Sequence, residues 1–268
     1  MTKFPGRGEP LDSQGVSEAA ELLGIPATVL WAVVTVETAG CGFIQDRRPV
    51  VLFERHEFRR RTAGRFDASH PDISGPPGGY GPAGKHQHDR LGVAIQQNRK
   101  AAIESASWGL GQVMGYNAAL AGCVEAEAMV SEFCRSENSQ LIGMARFIRA
   151  RGLDKHLRRS AWADFARGYN GPAYAMNRYD AKLEQQALRF ASQPMPNLTV
   201  RSIQLLLSYE GFVPGPVDGY LGAQTKRAIA GFRAANRFGE GEGADEKLMR
   251  ELLARLPSGE ANDPSFHG

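Results

Sequence analysis

The sequence predicts a mainly helical protein of two domains with one short β element, and three observations carry that prediction. Residues 26–36, Pro-Ala-Thr-Val-Leu-Trp-Ala-Val-Val-Thr-Val, are apolar on nearly every face and too long for a typical strand, and the proline suits a first helical turn. Most later segments support helices by composition and spacing, and only residues 49–53 read as a clear strand. Near the end, the stretch 192–197 carries Pro194 and Pro196, which break a helix and stiffen a connection. It divides the chain into a domain over 1–192 and a small domain over 197–256.

In chain order, a short flexible start leads into helices over 16–23 and 26–36, then the strand at 49–53. Residues 62–90 are rich in Gly, Pro, His and Asp and read as one long irregular stretch, a length that in a compact domain tends to be functional or mobile. Helices follow over 96–105, 118–133, 139–151, 161–167 and 174–191, with no internal repeat and no coiled coil in the first domain. Beyond the linker, an apolar segment around 203–207, an Asp218-Gly219 turn with a following helix, and a last helix over 246–253 complete a three-helix module.

At 268 residues the chain can hold one substantial core and a small module, and 42% hydrophobic with 23% charged residues is ordinary for a globular protein. No apolar run approaches the ~20 residues of a membrane span, and the first ten residues lack the hydrophobic centre of a signal peptide. A net charge of +3 suits any anionic partner, nucleic acid included, and decides nothing. The basic run from Arg55 to Arg61 reads as a solvated face. Cys41, Cys123 and Cys134 form no metal or disulfide framework, though one bridge stays open, and His86, His88 and Asp89 lack the further ligands that a metal would need.

Three short motifs carry chemistry. Glu37 ends the apolar 26–36 helix just before Gly40, where burial and the helix dipole both disfavour its charge and raise its pKa. A carboxylic acid held protonated near neutral pH is a proton donor; the alternative is a solvated glutamate at a helix end. Seventy residues on, Ser107-Trp108-Gly109-Leu110-Gly111-Gln112 sets two glycines around one leucine and one amide. Glycine admits a ligand or a backbone closely and glutamine can both donate to and accept from a sugar; the alternative is a Gly-rich helix start with Gln112 exposed. Last, Tyr169-Asn170-Gly171-Pro172 reads as a turn, either structural or presenting a ring and an amide to a sugar.

This order of motifs resembles the phage-type N-acetylmuramidases, the lysozyme-like enzymes of endolysins and some secreted effectors. Further blocks extend the resemblance over roughly residues 15–190: Arg48 through His56, Gly78-Gly79-Tyr80-Gly81, Gln87 with Arg90-Leu91, and Ser105 through Gly109. The resemblance implies a lysozyme-like α fold with a small β part and Glu37 as general acid. It also implies Glu54 as the second catalytic group, unless Glu54 is a salt-bridge partner of Arg55 or Arg59. Residues 197–255 resemble the small peptidoglycan-binding domain, through Val200, Ile203 to Leu207, Gly211, Val217 to Gly222, Thr225, Ala228 and Phe232, while the usual second Asp-Gly turn survives only as the charged loop 239–245.

The two resemblances imply a cell-wall hydrolase that cuts the β-1,4 bond between N-acetylmuramic acid and N-acetylglucosamine. Ser107, Gly109, Gln112, Tyr169 and Asn170 would hold glycan, and Asp218, Gly219, Tyr220 and Thr225 would mark the wall-binding module. Asp218 and Gly219 read mostly as fold punctuation. The rivals are a lytic transglycosylase and a non-catalytic wall binder. The expected partner is bacterial peptidoglycan, met by a monomer with no cofactor, no metal, no nucleic acid and no membrane insertion. Without a signal peptide, a protein made in the cytoplasm would reach the wall through a phage pore, lysis or a secretion machine. The module is expected to fold and bind on its own.

Overall fold

The computed structural model describes residues 4–38 and 40–258. Helix α1 (Ser13–Leu23) starts at Asp12, whose carboxylate accepts from Gly15 N, and stops at Gly24 in the left-handed region. Helix α2 (Ala27–Thr38) buries Leu30, Trp31, Ala32, Val33 and Val34, which fits its lack of a polar face. It runs against the long helix α10 (Tyr179–Ser192), while α1 packs on α7 (Glu137–Ala150). Helix α2 also touches α1, so it links α10 to the α1–α7 pair.

The strand expected at 49–53 forms as β1 (Val51–Phe53), pairing antiparallel with β2 (Ala106–Trp108), which turns through Gly109–Gln112 into β3 (Val113–Met114). Val51 faces Trp108, and Trp108 in turn faces Val113. Two- and three-residue strands give too little alternation to be read in a sequence, so β2 and β3 were not foreseen.

Several boundaries depart from expectation. Helix α3 (Arg55–Arg61) absorbs the basic run, turning buried Phe58 into the core and leaving Arg59 and Arg60 outward, while Arg61 is largely covered and pairs with Glu57 and Glu104. The irregular stretch ends early, because α4 (Lys85–Gln97) begins after Gly84; Asn98 then caps a separate helix α5 (Arg99–Glu104), accepting from Ala101 N. The expected helix over 118–133 starts later, as α6 (Ala126–Arg135), after a short 3₁₀ turn at Gly115–Asn117. Helices α8 (Asp154–Arg158) and α9 (Trp162–Asn170) follow, and α9 takes in Tyr169 and Asn170, so the expected Tyr-Asn-Gly-Pro turn begins only at Gly171. The described cysteines are all free, and burial pushes the Cys41 and Cys134 thiols up to about 12. His88 lies buried in α4 with Nε2 donating to Pro49 O at 2.9 Å, a role in packing the strand.

The C-terminal module is three helices, α11 (Leu198–Tyr209), α12 (Ala223–Ala235) and α13 (Glu246–Ala254), around Ile203, Leu206, Leu207, Ile229, Phe232 and Leu248. It has its own core, yet it is not a bead on a string. Arg201 of α11 and Glu137 of α7 form a fully buried ion pair across the boundary, and removing one partner of such a pair costs about 3–5 kcal/mol. Among the described residues no single helix is long and apolar enough to cross a membrane.

Candidate active site

Glu37 lies in the last turn of α2, the helix that packs against α10, and is reached by Asn170 from the end of α9. Burial raises its carboxyl from the ordinary 4.5 to about 7, opposed by the Asn170 amide, whose Nδ2 donates to Glu37 Oε1 at 3.3 Å. Burial also keeps Tyr169 and Tyr179 firmly neutral, and a charge on Glu37 would reinforce that. The acid therefore faces one amide and two phenols. Such a carboxyl holds its proton up to neutral pH and can release it to an oxygen brought against it.

Tyr169 and Asn170 are brought to Glu37, though not by a turn. Asn170 reaches the acid from the end of α9, whereas the Tyr169 hydroxyl donates to Gly111 O at 2.5 Å and its ring stacks on Phe165 at 5.3 Å. Tyr169 thus fastens the Gly109–Gln112 loop to α9, the helix that carries Asn170 to Glu37. The other residues expected to hold glycan are engaged within that loop. Ser107 Oγ donates to Gln112 Oε1 at 2.9 Å, and Gln112 Nε2 donates to Gly109 O at 2.8 Å. Gln112 itself holds φ 46°, a left-handed conformation that this hydrogen bonding supports.

The two glycines have a cause within the protein. A Cβ on Gly109 would stand 2.6 Å from the Gln140 side chain, and one on Gly111 would stand 2.5 Å from Met144. Gln140 and Met144 are successive turns of α7, so the loop is pressed against that helix, and Gln140 Oε1 accepts from Leu110 N at 2.7 Å. The sequence suggests close approach by a ligand or a backbone; a neighbouring helix occupies that space.

Glu54 follows β1 and begins α3. Neither Arg55 nor Arg59 is its partner: Arg55 donates to Pro76 O and Pro71 O, and Arg59 pairs with Asp67 at 2.6 Å. Instead His56 Nδ1 lies 3.2 Å from Glu54 Oε2 and the Tyr80 hydroxyl donates to the carboxylate. Burial raises Glu54 above the ordinary carboxylate range, while His56 and Tyr80 restrain the rise. Tyr80 is held there by buried Gln87, which donates to Tyr80 O and Pro82 O and accepts from Phe53 N, and by Arg90, which donates to Tyr80 O at 2.8 Å. The separate blocks around Glu54, Tyr80, Gln87 and Arg90 are therefore one hydrogen-bonded cluster.

A chain of contacts joins the two carboxyls. Asn170 meets Glu37, Tyr169 meets Gly111, and Gly109 N donates to Val50 O at 2.8 Å, beside the strand that Glu54 follows. In the module, Asp218 and Gly219 do punctuate the fold: Gln204 Oε1 accepts from both backbone amides, and its Nε2 donates to Asp218 Oδ1, Tyr220 O and Thr225 Oγ1. Thr225 is buried and donates to Pro214 O, while the Tyr220 hydroxyl donates to Pro194 O in the linker.

Sequence reasoning missed Tyr179, His56 and Tyr80 as neighbours of the acids, and missed Glu137, Gln140 and Arg201 entirely. Arg201 and Gln204 interrupt the apolar face of α11 three residues apart, a signal that polar partners were to be found inside.

The N-acetylmuramidase family matches this chain over residues 26–191, and a peptidoglycan binding domain family matches residues 197–239. Among solved structures, the crystal structure of the Burkholderia AP3 phage endolysin is similar, at 36% identity and a TM-score of 0.63, covering 68% of this chain and 71% of that chain. No curated protein matches the chain in sequence.

Proposed function

Because this chain belongs to the N-acetylmuramidase family, we propose that it cuts the β-1,4 bond between N-acetylmuramic acid and N-acetylglucosamine, with Glu37 as general acid. It is a glycoside hydrolase with lysozyme activity and acts on the peptidoglycan of the cell wall. The observation that carries the mechanism is the Glu37 carboxyl, raised to about 7 at the end of a buried helix and met by Asn170. In the reaction Glu37 gives its proton to the glycosidic oxygen as the sugar gains oxocarbenium character. Asn170 orients the carboxyl and steadies the carboxylate that results.

Glu54 assists a water on the opposite face of the sugar, taking its proton as the new C–O bond forms. Burial raises its carboxyl above the ordinary range, and His56 and Tyr80 act against that rise in favour of the ionised form that a base requires. Delivery to the wall proceeds through a phage pore or another export route. The test is Glu37→Gln, nearly isosteric but without the proton. Clearance of purified walls should fall by about 10²–10⁴-fold with the protein folded. Retention of more than about a tenth of the rate removes Glu37 from the role.

A further inference from the structure

The loop that follows Glu37 is gripped from two sides. Arg201 and Glu137 are each 0% exposed, with Arg201 Nη1 donating to Glu137 Oε2 at 2.5 Å and Nη2 to Glu137 Oε1 at 2.8 Å. The same Nη2 also donates to Gly40 O. Glu137 in turn accepts from Gly42 N at 2.8 Å and from Leu11 N at 2.9 Å. Gly40 and Gly42, three and five residues after Glu37, thus hang on a charge pair of which one half belongs to the C-terminal module.

The module's backbone closes on the same place. Gly40 has φ 89°, and a Cβ there would stand 3.0 Å from Val217 O. The Arg189 guanidinium lies 5.4 Å from the Tyr220 ring centroid, and a cavity of only about 70 Å³ remains between Trp31, Thr35 and Gly40 on one side and Val217, Asp218 and Tyr220 on the other. The Asp-Gly turn of the module therefore faces the first domain and the linker. A bidentate guanidinium fixes direction as well as charge, whereas a flexible tether would need neither.

We propose that Arg201 is a positioning residue for Glu37, so that the C-terminal module, through the Arg201–Glu137 pair, sets the Gly40–Gly42 loop and with it the end of α2. This rests on Glu37 being the acid. The module is then part of the active-site framework, and its loss damages chemistry as well as wall attachment.

The test uses the full chain, with Arg201→Met, Arg201→Lys and Arg201→Met/Glu137→Met, assayed on soluble peptidoglycan fragments. Arg201→Met should lower kcat per folded molecule by about 10- to 100-fold, the scale of a misplaced catalytic group, with KM little changed. The alkaline limb of kcat should also move to lower pH, because water admitted at the loosened loop eases ionisation of Glu37; the groups facing that carboxyl, Asn170, Tyr169 and Tyr179, are untouched. Arg201→Lys, which keeps the charge, should recover part of the loss. The double variant, which removes both charges, should regain the thermal midpoint but not kcat, since the Gly40 and Gly42 bonds stay absent.

Unchanged kcat and pH profile per folded molecule in either single variant, or recovery of kcat along with the midpoint in the double variant, overturns the proposal. Should Arg201→Met fail to fold, the lysine and double variants decide alone. Glu37→Gln, run alongside, separates the two failures: an active Glu37→Gln strikes the acid itself, whereas normal Arg201 variants beside an inactive Glu37→Gln strike only the positioning role.

Discussion

Glu37→Gln should make the protein more stable at alkaline pH even as it removes activity. The carboxyl is raised from 4.5 to about 7, so at ~1.36 kcal/mol per pK unit its ionisation inside the fold costs about 3 kcal/mol more than in the unfolded chain. Between those two values the unfolded chain has lost the proton and the folded protein keeps it. Stability therefore falls as pH rises through this window and stays lower above it. His88 acts in the opposite direction. Burial first, and then Arg48, lower its imidazole from 6.5 to about 4, so stability falls as pH drops through that range. The two slopes oppose each other in the parent protein, and only the difference between parent and variant isolates Glu37. Urea unfolding followed by tryptophan fluorescence at about pH 4 and about pH 8 measures it. The advantage of Glu37→Gln should grow by about 3 kcal/mol between them, or about 6–12 °C in thermal midpoint. A difference that does not change with pH refutes the claim that Glu37 is buried as a protonated acid.

Two further substitutions probe the roles around that acid. Glu54→Ala should lower turnover on soluble fragments by about 10²–10⁴-fold with little change in thermal midpoint; an unstable variant that is fully active per folded molecule makes Glu54 a structural residue. Asn170→Ala removes the bond that favours ionised Glu37, so the alkaline limb of kcat should move to higher pH, and a limb that stays fixed or moves down contradicts the Asn170–Glu37 contact as the cause.

What could be read in the sequence follows the range of the forces involved. The apolar 26–36 run, the acid at its end and the proline linker are local patterns, and each became the element expected, with α2 ending at Thr38 and α10 ending before the linker. The short strands and the break at Asn98 depend on pairing and capping over a few residues, where periodicity carries little signal. Motif order singled out Asn170 and Tyr169, but not how they work, because one bonds the acid and the other the backbone of Gly111. The glycines at 109 and 111 suggested close approach by a ligand or a backbone, and only the three-dimensional packing reveals Gln140 and Met144 against them. Arg201 was invisible as a site residue because its partners, Glu137 and Gly40, lie 64 and 161 positions away in sequence.

The central claim is that Glu37 protonates a muramyl glycosidic bond which water then opens, and the chemistry of the products tests it most directly. Purified peptidoglycan digested to completion, reduced with borohydride and examined by mass spectrometry should yield muropeptides ending in reduced N-acetylmuramic acid, each heavier by two hydrogens than before reduction. Products lighter by one water and inert to borohydride carry a 1,6-anhydro ring and would show that the sugar's own hydroxyl, not water, is the nucleophile. Reducing N-acetylglucosamine ends would contradict the assigned bond altogether.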